Sequence, residues 1–122
     1  ERHFPTADCL RRSSRELGLV DRVDVMPGDV LLWPRRMPPL SADSPWIIFV
    51  SPPWNFFQSR LAEINSLLKA LAAIAPVNSR LIVESDDQMP IESLPDQFGF
   101  NETEESWDTR AMLPAILHQK RL

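Results

Sequence analysis

The sequence predicts an α/β fold in which parallel strands are joined by crossover helices. The first observation is an apolar run at 46–50, which ends at Ser51 and two prolines. The second is a long amphipathic segment at 57–75, and the third is another apolar run at 80–84. Strand, helix and strand in this order are typical of a doubly wound sheet, because parallel neighbours need a crossover connection that is usually helical.

A helix is predicted at 5–18, before the first of these strands. Pro5 suits the first turn, and Gly18 stands where the helix should end. Four residues of the segment recur at helical spacing and share one face, which predicts the side turned toward the protein: Ala7, Leu10, Ser14 and Leu17.

A short strand is predicted at 22–26, where Val23 and Val25 alternate with polar residues. The Pro-Gly-Asp sequence that follows is a turn signal and closes the strand. We expect a helical turn at 30–33. The segment 34–45 contains four prolines and is therefore expected to be a surface connection of restricted flexibility.

The run at 46–50 has the composition of a central parallel strand, whose two faces are both covered by helices. Pro52 and Pro53 cannot continue the hydrogen-bond ladder, so the strand ends at Ser51. Ligands bind at this carboxyl edge in open α/β sheets. The helix predicted at 57–75 ends before Pro76 and carries apolar residues at three- and four-residue steps: Phe57, Leu61, Ile64, Leu68, Leu71 and Ala75.

The last third predicts a second buried strand at 80–84, an irregular acidic connection at 85–97, and two weaker strands near 98–107 and 111–119. Pro114 inside the last strand indicates an edge position or a bulge. Because the pattern opens with a helix, we expect the first strand of the sheet to lie outside these residues.

Composition excludes several classes of protein. At 122 residues and 43% hydrophobic composition, the chain corresponds to about one domain. Cys9 is the single cysteine, which excludes an internal disulfide framework, and with only His3 and His118 beside it a Cys/His zinc site is excluded as well. No run approaches the length of a membrane span, and the first residues do not resemble a signal peptide. We therefore expect a cytoplasmic monomer without membrane or metal partners.

The distribution of charge is more informative than its sum. The formal net charge of −4 argues against binding of nucleic acid by a bulk positive field. The segment 84–108 contains many carboxylates and no lysine or arginine. If the partner is a polyanion, the first third of the chain should face it, because that part contains most of the arginines: Arg11, Arg12, Arg15, Arg22, Arg35 and Arg36.

Three polar residues stand at the ends of predicted strands or of an inferred one. Asp29 follows the predicted strand at 22–26, and Ser51 follows the strand at 46–50. Glu1 precedes the first helix, where the end of the missing strand is expected. Because carboxyl ends of parallel strands meet at one edge, we expect the three side chains along one rim.

The order of these motifs resembles that of S-adenosylmethionine-dependent methyltransferases. The Ser-Pro-Pro-Trp sequence at 51–54 resembles the (Asp/Asn/Ser)-Pro-Pro-(Tyr/Phe/Trp) signature of enzymes that methylate exocyclic amines. The Leu-Gly-Leu helix end, the long helix after the signature, the Leu-Ile-Val-Glu strand and a terminal hairpin at 107–110 are similar to the ribosomal RNA small-subunit methyltransferase D family, which is of guanine-N2 type.

This resemblance implies a Rossmann-like class I methyltransferase sheet, with parallel strands and a C-terminal antiparallel hairpin. Residues 1–122 would form its C-terminal part, without the first strand and the glycine-rich donor loop. We therefore expect these residues alone neither to fold well nor to bind the donor.

The resemblance also implies S-adenosyl-L-methionine as methyl donor and assigns residues to it. Glu1 would accept hydrogen bonds from the ribose hydroxyls, and Asp29 would face the exocyclic amine of adenine, with the backbone of Val30 helping to fix the base. Each carboxylate also has a structural interpretation. Glu1 could be a helix-start carboxylate that the helix dipole favours, and Asp29 could belong to a Gly-Asp turn.

For the acceptor, the resemblance assigns the catalytic role to the four residues of the signature. Ser51 Oγ and the Pro52 carbonyl would accept the two N–H groups of the target amine, which pulls its nitrogen toward tetrahedral geometry in line with the sulfonium methyl. Pro53 adds no competing N–H group. Trp54 would stack on the base, which must first be flipped out of structured RNA.

Ser51 departs from the aspartate that is usual in the family. A hydroxyl is a weaker acceptor than a carboxylate, although serine occurs at this place in some cytosine-N4 DNA methyltransferases. The sequence thus predicts an N-methyltransferase for an exocyclic base amine, with guanine N2 of ribosomal RNA as substrate. Two alternatives stay open: a methyltransferase-like module without catalysis that binds or supports structure, and an amino-methyltransferase for DNA or a protein amide.

Overall fold

The computed structural model describes residues 1–41, 43–98 and 106–122, which form a mixed α/β fold around a four-stranded sheet. Its strands are β1 (Ile47–Val50), β2 (Arg80–Ser85), β3 (Asp108–Met112) and β4 (Ala115–Arg121), in the order β1-β2-β4-β3. β1 and β2 run parallel, whereas the pairs β2–β4 and β4–β3 are antiparallel. The α/β class, a parallel pair of strands and a C-terminal antiparallel hairpin are thus confirmed.

The first helix, α1 (Phe4–Glu16), ends as its sequence predicts. Gly18 adopts φ +68°, and its N–H donates to Arg15. Leu19 N–H donates to the carbonyl of Ser14 at 2.8 Å, which completes a Schellman ending that favours glycine at this place. The predicted apolar face is buried only in part: Ala7 and Ser14 are buried, whereas Leu10 and Leu17 are exposed.

The prediction of a strand at 22–26 is wrong, because these residues have no regular secondary structure. The backbone nearby pairs with Glu1 instead. The Glu1 backbone nitrogen donates to the Met26 carbonyl at 3.2 Å, and Gly28 N–H donates to the Glu1 carbonyl at 2.8 Å. Glu1 is thus hydrogen-bonded to the residues on both sides of Pro27, which is the pattern of two parallel strands. Because only one residue pairs in this way, no ladder forms.

The long helix predicted at 57–75 is divided into α2 (Asn55–Ser59) and α3 (Leu61–Ile74). Arg60 interrupts it with φ −138° and ψ 25°. Neither glycine nor proline lies at the break, where the Arg60 side chain lies close to Asp29 and Glu63. The helical turn predicted at 30–33 is a 3₁₀ helix over Val30–Arg35, which packs against α3.

The core lies between α3 and one face of the sheet. Ile48 and Val50 of β1 pack against it, while Ile47 and Phe49 on the other face are 77% and 56% exposed. The prediction of a central strand covered on both faces is therefore wrong for the part of the chain that the structure describes, in which β1 is an edge strand. The core cluster consists of Phe57, Ile64, Leu68, Leu81, Val83, Met89 and Leu94.

The C-terminal hairpin starts and ends later than predicted. The strand expected near 98–107 lies largely outside the described residues, and the first strand of the hairpin begins at Asp108. The strand expected at 111–119 is β4, whose bounds are Ala115–Arg121. Pro114 lies in the turn between β3 and β4, where its missing N–H costs no ladder hydrogen bond.

A buried histidine joins three strands of the sheet. Nε2 of His118 in β4 lies 2.9 Å from Ser85 Oγ in β2, and Nδ1 of the same ring lies 3.0 Å from Thr109 Oγ1 in β3. Because Ser85 Oγ donates to the Asp86 carbonyl, it accepts from Nε2–H, and Nδ1 accepts from Thr109. Burial lowers the pKa of His118 below its ordinary value of 6.5. The histidine is therefore held neutral, with both ring nitrogens bonded.

None of the helices formed within 1–41, 43–98 and 106–122 is long and apolar enough to cross a membrane.

We predict that His118 makes the stability of the protein fall in mild acid. Since the folded pKa lies below the unfolded one, the unfolded chain binds this proton first. The contribution of His118 to the free energy of unfolding should be complete above about pH 6.5 and should be lost as the pH falls toward the folded pKa. Urea unfolding at a series of pH values measures this.

The variant His118→Gln should show a weaker decline than the parent protein, whereas His3→Gln, which alters an exposed histidine, should keep the full decline. Equal pH profiles for His118→Gln and the parent would contradict the assignment.

Candidate functional site

An open cavity of about 890 Å³ lies between the N-terminal segment and strand β1. Its lining comes from four parts of the chain: Glu1 with the segment around Asp29, the connection at 40–41, strand β1 with the residues that follow it, and side chains of α2, α3 and Arg60 between them. This volume lies in the range of about 300–1,000 Å³ that is usual for small-molecule sites. The cavity also borders the unpaired edge of β1, so its walls combine backbone groups with apolar side chains.

The cavity brings together most of the residues that the sequence singles out. Residues from the N-terminal segment and from the end of β1 are far apart in sequence but share its lining. Six of the seven predicted site residues line it: Glu1, Asp29, Val30, Ser51, Pro52 and Pro53.

Trp54 is the predicted site residue that lies elsewhere. It is half-buried and borders a separate depression of about 50 Å³, together with Gln58 and Asp86. The chain turns into α2 at this point: Phe56 N–H donates to the Pro53 carbonyl at 2.8 Å, and Phe57 N–H donates to the Trp54 carbonyl at 3.0 Å. The indole therefore stands beside the cavity rather than in its wall.

The carboxylate of Glu1 is exposed at the mouth of the cavity. Its Oε1 accepts a hydrogen bond from His3 N–H at 2.7 Å, just before α1 begins. This contact supports the structural interpretation of Glu1 as a helix-start carboxylate. Within the residues that the structure describes, Oε2 accepts no hydrogen bond, so a second function of the same side chain is compatible with the first.

Asp29 caps the 3₁₀ helix that follows it. Its Oδ1 accepts a hydrogen bond from Leu31 N–H at 3.0 Å. Its Oδ2 faces the cavity side and lies 3.7 Å from Nη2 of Arg60, which is too long for a direct hydrogen bond. Val30 N–H, the first of the helix, has no acceptor within the helix. One carboxylate oxygen and one backbone N–H group are thus available at this wall.

Ser51 follows the last residue of β1, as predicted. It is exposed directly after β1, and its hydroxyl makes no hydrogen bond to any part of the chain that the structure describes. The Pro53 carbonyl is occupied by α2, whereas the Pro52 carbonyl accepts no hydrogen bond from the described residues. Ser51 Oγ and the Pro52 carbonyl are therefore two free acceptors at the end of β1.

Arg60 is a cavity residue that sequence reasoning missed. Its guanidinium carbon lies 5.2 Å from the centroid of the Phe56 ring, and both side chains line the cavity. A hydrogen bond to the Glu63 carboxylate and the nearby charge of Asp29 raise the pKa of Arg60 above its ordinary value. The apolar periodicity of 57–75 runs through this position without interruption, so nothing in the spacing marks it.

No group of three or more histidine, cysteine, aspartate or glutamate side chains suited to a metal ion occurs within residues 1–41, 43–98 and 106–122.

We predict that Asp29 stabilises the fold through its cap, independently of any ligand. Asp29→Ala should lower the free energy of unfolding by about 1 kcal/mol, because Leu31 N–H loses its acceptor. Asp29→Asn should cost less, since asparagine also caps helices well. Urea denaturation measures both, with Asp21→Ala as an exposed control. If Asp29→Ala and Asp21→Ala are equally stable, the cap does not contribute.

Comparisons of the chain with protein-family models, with curated proteins and with solved structures gave no match. Its function must therefore be inferred from the cavity residues and from the order of the strands.

Proposed function

We propose that this chain forms part of an S-adenosylmethionine-dependent N-methyltransferase that acts on an exocyclic base amine, guanine N2 in ribosomal RNA. The supporting observation is the lining of one cavity by two groups of residues. Glu1, Asp29 and Val30 supply polar groups on the N-terminal side, and Ser51 with Pro52 supplies free acceptors at the end of β1. These are the groups that the resemblance assigns to the methyl donor and to the target amine.

The donor side has the chemistry that an adenosine needs. A carboxylate at the end of a strand can accept ribose hydroxyls. Glu1, which pairs with the segment at 26–28, offers a free carboxylate oxygen for the same purpose. Asp29 Oδ2 can accept an N–H of the adenine amine, while Val30 N–H can donate to a ring nitrogen of the same base. A donor and an acceptor at one wall thus match the edge of adenine.

The order of the backbone segments also supports this proposal. Glu1 pairs with the segment at 26–28 in a parallel manner, the cavity follows, and β1-β2-β4-β3 continue the sheet beyond it. The cavity lies beside the unpaired edge of β1, where Ile47 and Phe49 are exposed. We assign the part of the cavity along the edge of β1 to the first strand of a Rossmann-like methyltransferase sheet, and the part beside Ser51 to the donor and its glycine-rich loop.

The residues on the acceptor side would contribute to catalysis by positioning the target amine. The bound donor supplies an electrophilic methyl group on its sulfonium sulfur. Ser51 Oγ and the Pro52 carbonyl would accept the two N–H groups of the target amine, which would direct the nitrogen lone pair toward that methyl. Formation of the N–C bond would break the carbon–sulfur bond and release S-adenosylhomocysteine, and the amine would lose one proton to solvent. Trp54 borders the neighbouring depression, where a flipped base that approaches Ser51 from solvent can stack.

The charges of the exposed surface suggest how RNA approaches. Arg12, Arg15, Arg35 and Arg36 are exposed on the N-terminal part, whereas Glu84, Asp86, Asp87, Glu92 and Asp96 follow each other without a basic residue between them. Phosphates should therefore contact the N-terminal part. With ribosomal RNA as substrate, we place the protein in the cytoplasm.

We predict that Ser51→Ala lowers kcat for methyl transfer to undermethylated ribosomal RNA by about 100-fold, since a transition-state hydrogen-bond acceptor is lost. Trp54→Ala should mainly raise KM for RNA, because a stacking surface is lost. Transfer of labelled methyl groups by the natural full-length protein measures both. Ser59→Ala is the matched control, because Ser59 Oγ bonds only to the Asn55 carbonyl of its own helix.

Equal activity of Ser51→Ala and Ser59→Ala would contradict the role of the hydroxyl. A parent protein that binds S-adenosylhomocysteine but methylates no RNA, DNA or protein amide would show a module without catalysis. Transfer to DNA or to a protein amide alone would keep the reaction and change the substrate.

A further inference from the structure

We propose that Arg60 is a positioning residue that couples the donor side of the cavity to the acceptor segment 51–54. This inference rests on the proposed function and goes beyond it, because the residue lies in neither group that the resemblance assigns. Arg60 stands at the break between α2 and α3, and its side chain is 25% exposed in the cavity wall.

The guanidinium has three neighbours, and each fixes it in a different way. Glu63, one turn ahead in α3, accepts a hydrogen bond from Nε. The ring of Phe56 lies under the guanidinium, at 5.2 Å from its carbon, in a cation–π arrangement. Asp29 Oδ2 lies 3.7 Å from Nη2, and its carboxylate is 20% exposed. The pair with Asp29 is therefore less screened than an exposed surface ion pair.

A short chain of backbone hydrogen bonds leads from Arg60 to the acceptor segment. Arg60 N–H donates to the Phe56 carbonyl at 2.7 Å, and Phe56 N–H donates to the Pro53 carbonyl at 2.8 Å. α2 is only five residues long, so a shift at one of its ends is transmitted to the other. The position of Arg60 thus sets the orientation of Pro53 and its neighbours.

On the donor side of the cavity, Arg60 positions the Asp29 carboxylate without using its free oxygen. At 3.7 Å the guanidinium attracts Oδ2 but forms no direct hydrogen bond with it, so the oxygen can still accept an N–H group. Loss of the positive charge should therefore weaken binding of the donor, and loss of the stack on Phe56 should displace the amine-binding segment. Because the two effects depend on different properties of the side chain, its charge and its planar stack, substitution can separate them from each other and from a general loss of stability.

The test uses Arg60→Gln in the natural full-length protein. We expect a roughly tenfold rise in Kd for S-adenosylhomocysteine by calorimetry and a roughly tenfold fall in kcat for RNA methylation. Arg60→Lys keeps the charge but not the planar stack, so it should restore most of the affinity and little of kcat. In an Asp29→Asn background, Arg60→Gln should have no further effect on Kd.

Arg110→Gln is the matched control, because Arg110 pairs with Asp108 at 3.0 Å on the hairpin and does not line the cavity. It should leave Kd and kcat unchanged. If Arg60→Gln behaves like Arg110→Gln, or if its effect on Kd adds fully to that of Asp29→Asn, the coupling is absent. If the parent protein neither binds S-adenosylhomocysteine nor transfers methyl groups, the proposed function fails and the coupling fails with it.

Discussion

The packing of α3 against one face of β1 and β2 is the constraint on which the other elements depend. Ile64 and Leu68 are completely buried against Leu81 and Val83, which are also completely buried. Apolar burial of this kind is the main favourable contribution to folding. The 3₁₀ helix after Asp29 packs on the same α3, so α3 connects the N-terminal wall of the cavity to the wall formed by β1.

In this arrangement the backbone groups along the outer edge of β1 pair with no strand of the described residues. A parallel strand is normally buried on both faces and paired on both sides, and exposed apolar edge strands favour association with other strands. Here Ile47 and Phe49 remain exposed beside the cavity, while Glu1 and the segment at 26–28 already adopt parallel pairing. The site and the unpaired edge therefore adjoin each other: the edge of β1 offers backbone groups to a strand, and the residues at its end offer polar groups to a ligand.

Sequence patterns predicted the elements whose signals are local. The prolines after Ser51 end β1 at the predicted residue, and Gly18 ends α1 because its positive φ completes a Schellman motif. Features that depend on distant contacts were missed. The break at Arg60, whose side chain lies near Asp29, is marked by no change in the apolar periodicity. The alternation at 22–26 suggested a strand, although only Glu1 pairs near that segment. The placement of Trp54 outside the cavity likewise depends on the turn into α2.

Asp29 shows why a structural role and a ligand role need not compete. A carboxylate has two oxygens with several lone pairs, and the cap on Leu31 N–H uses only Oδ1. The cap restrains the side chain, so ordering this side chain on ligand binding would cost less conformational entropy. Arg60 then adds charge on the side of Oδ2 without forming a hydrogen bond to it. A residue that stabilises a helix start thereby presents a restrained carboxylate oxygen to the cavity, while the Ser51 hydroxyl makes no hydrogen bond to the described residues and is free to rotate.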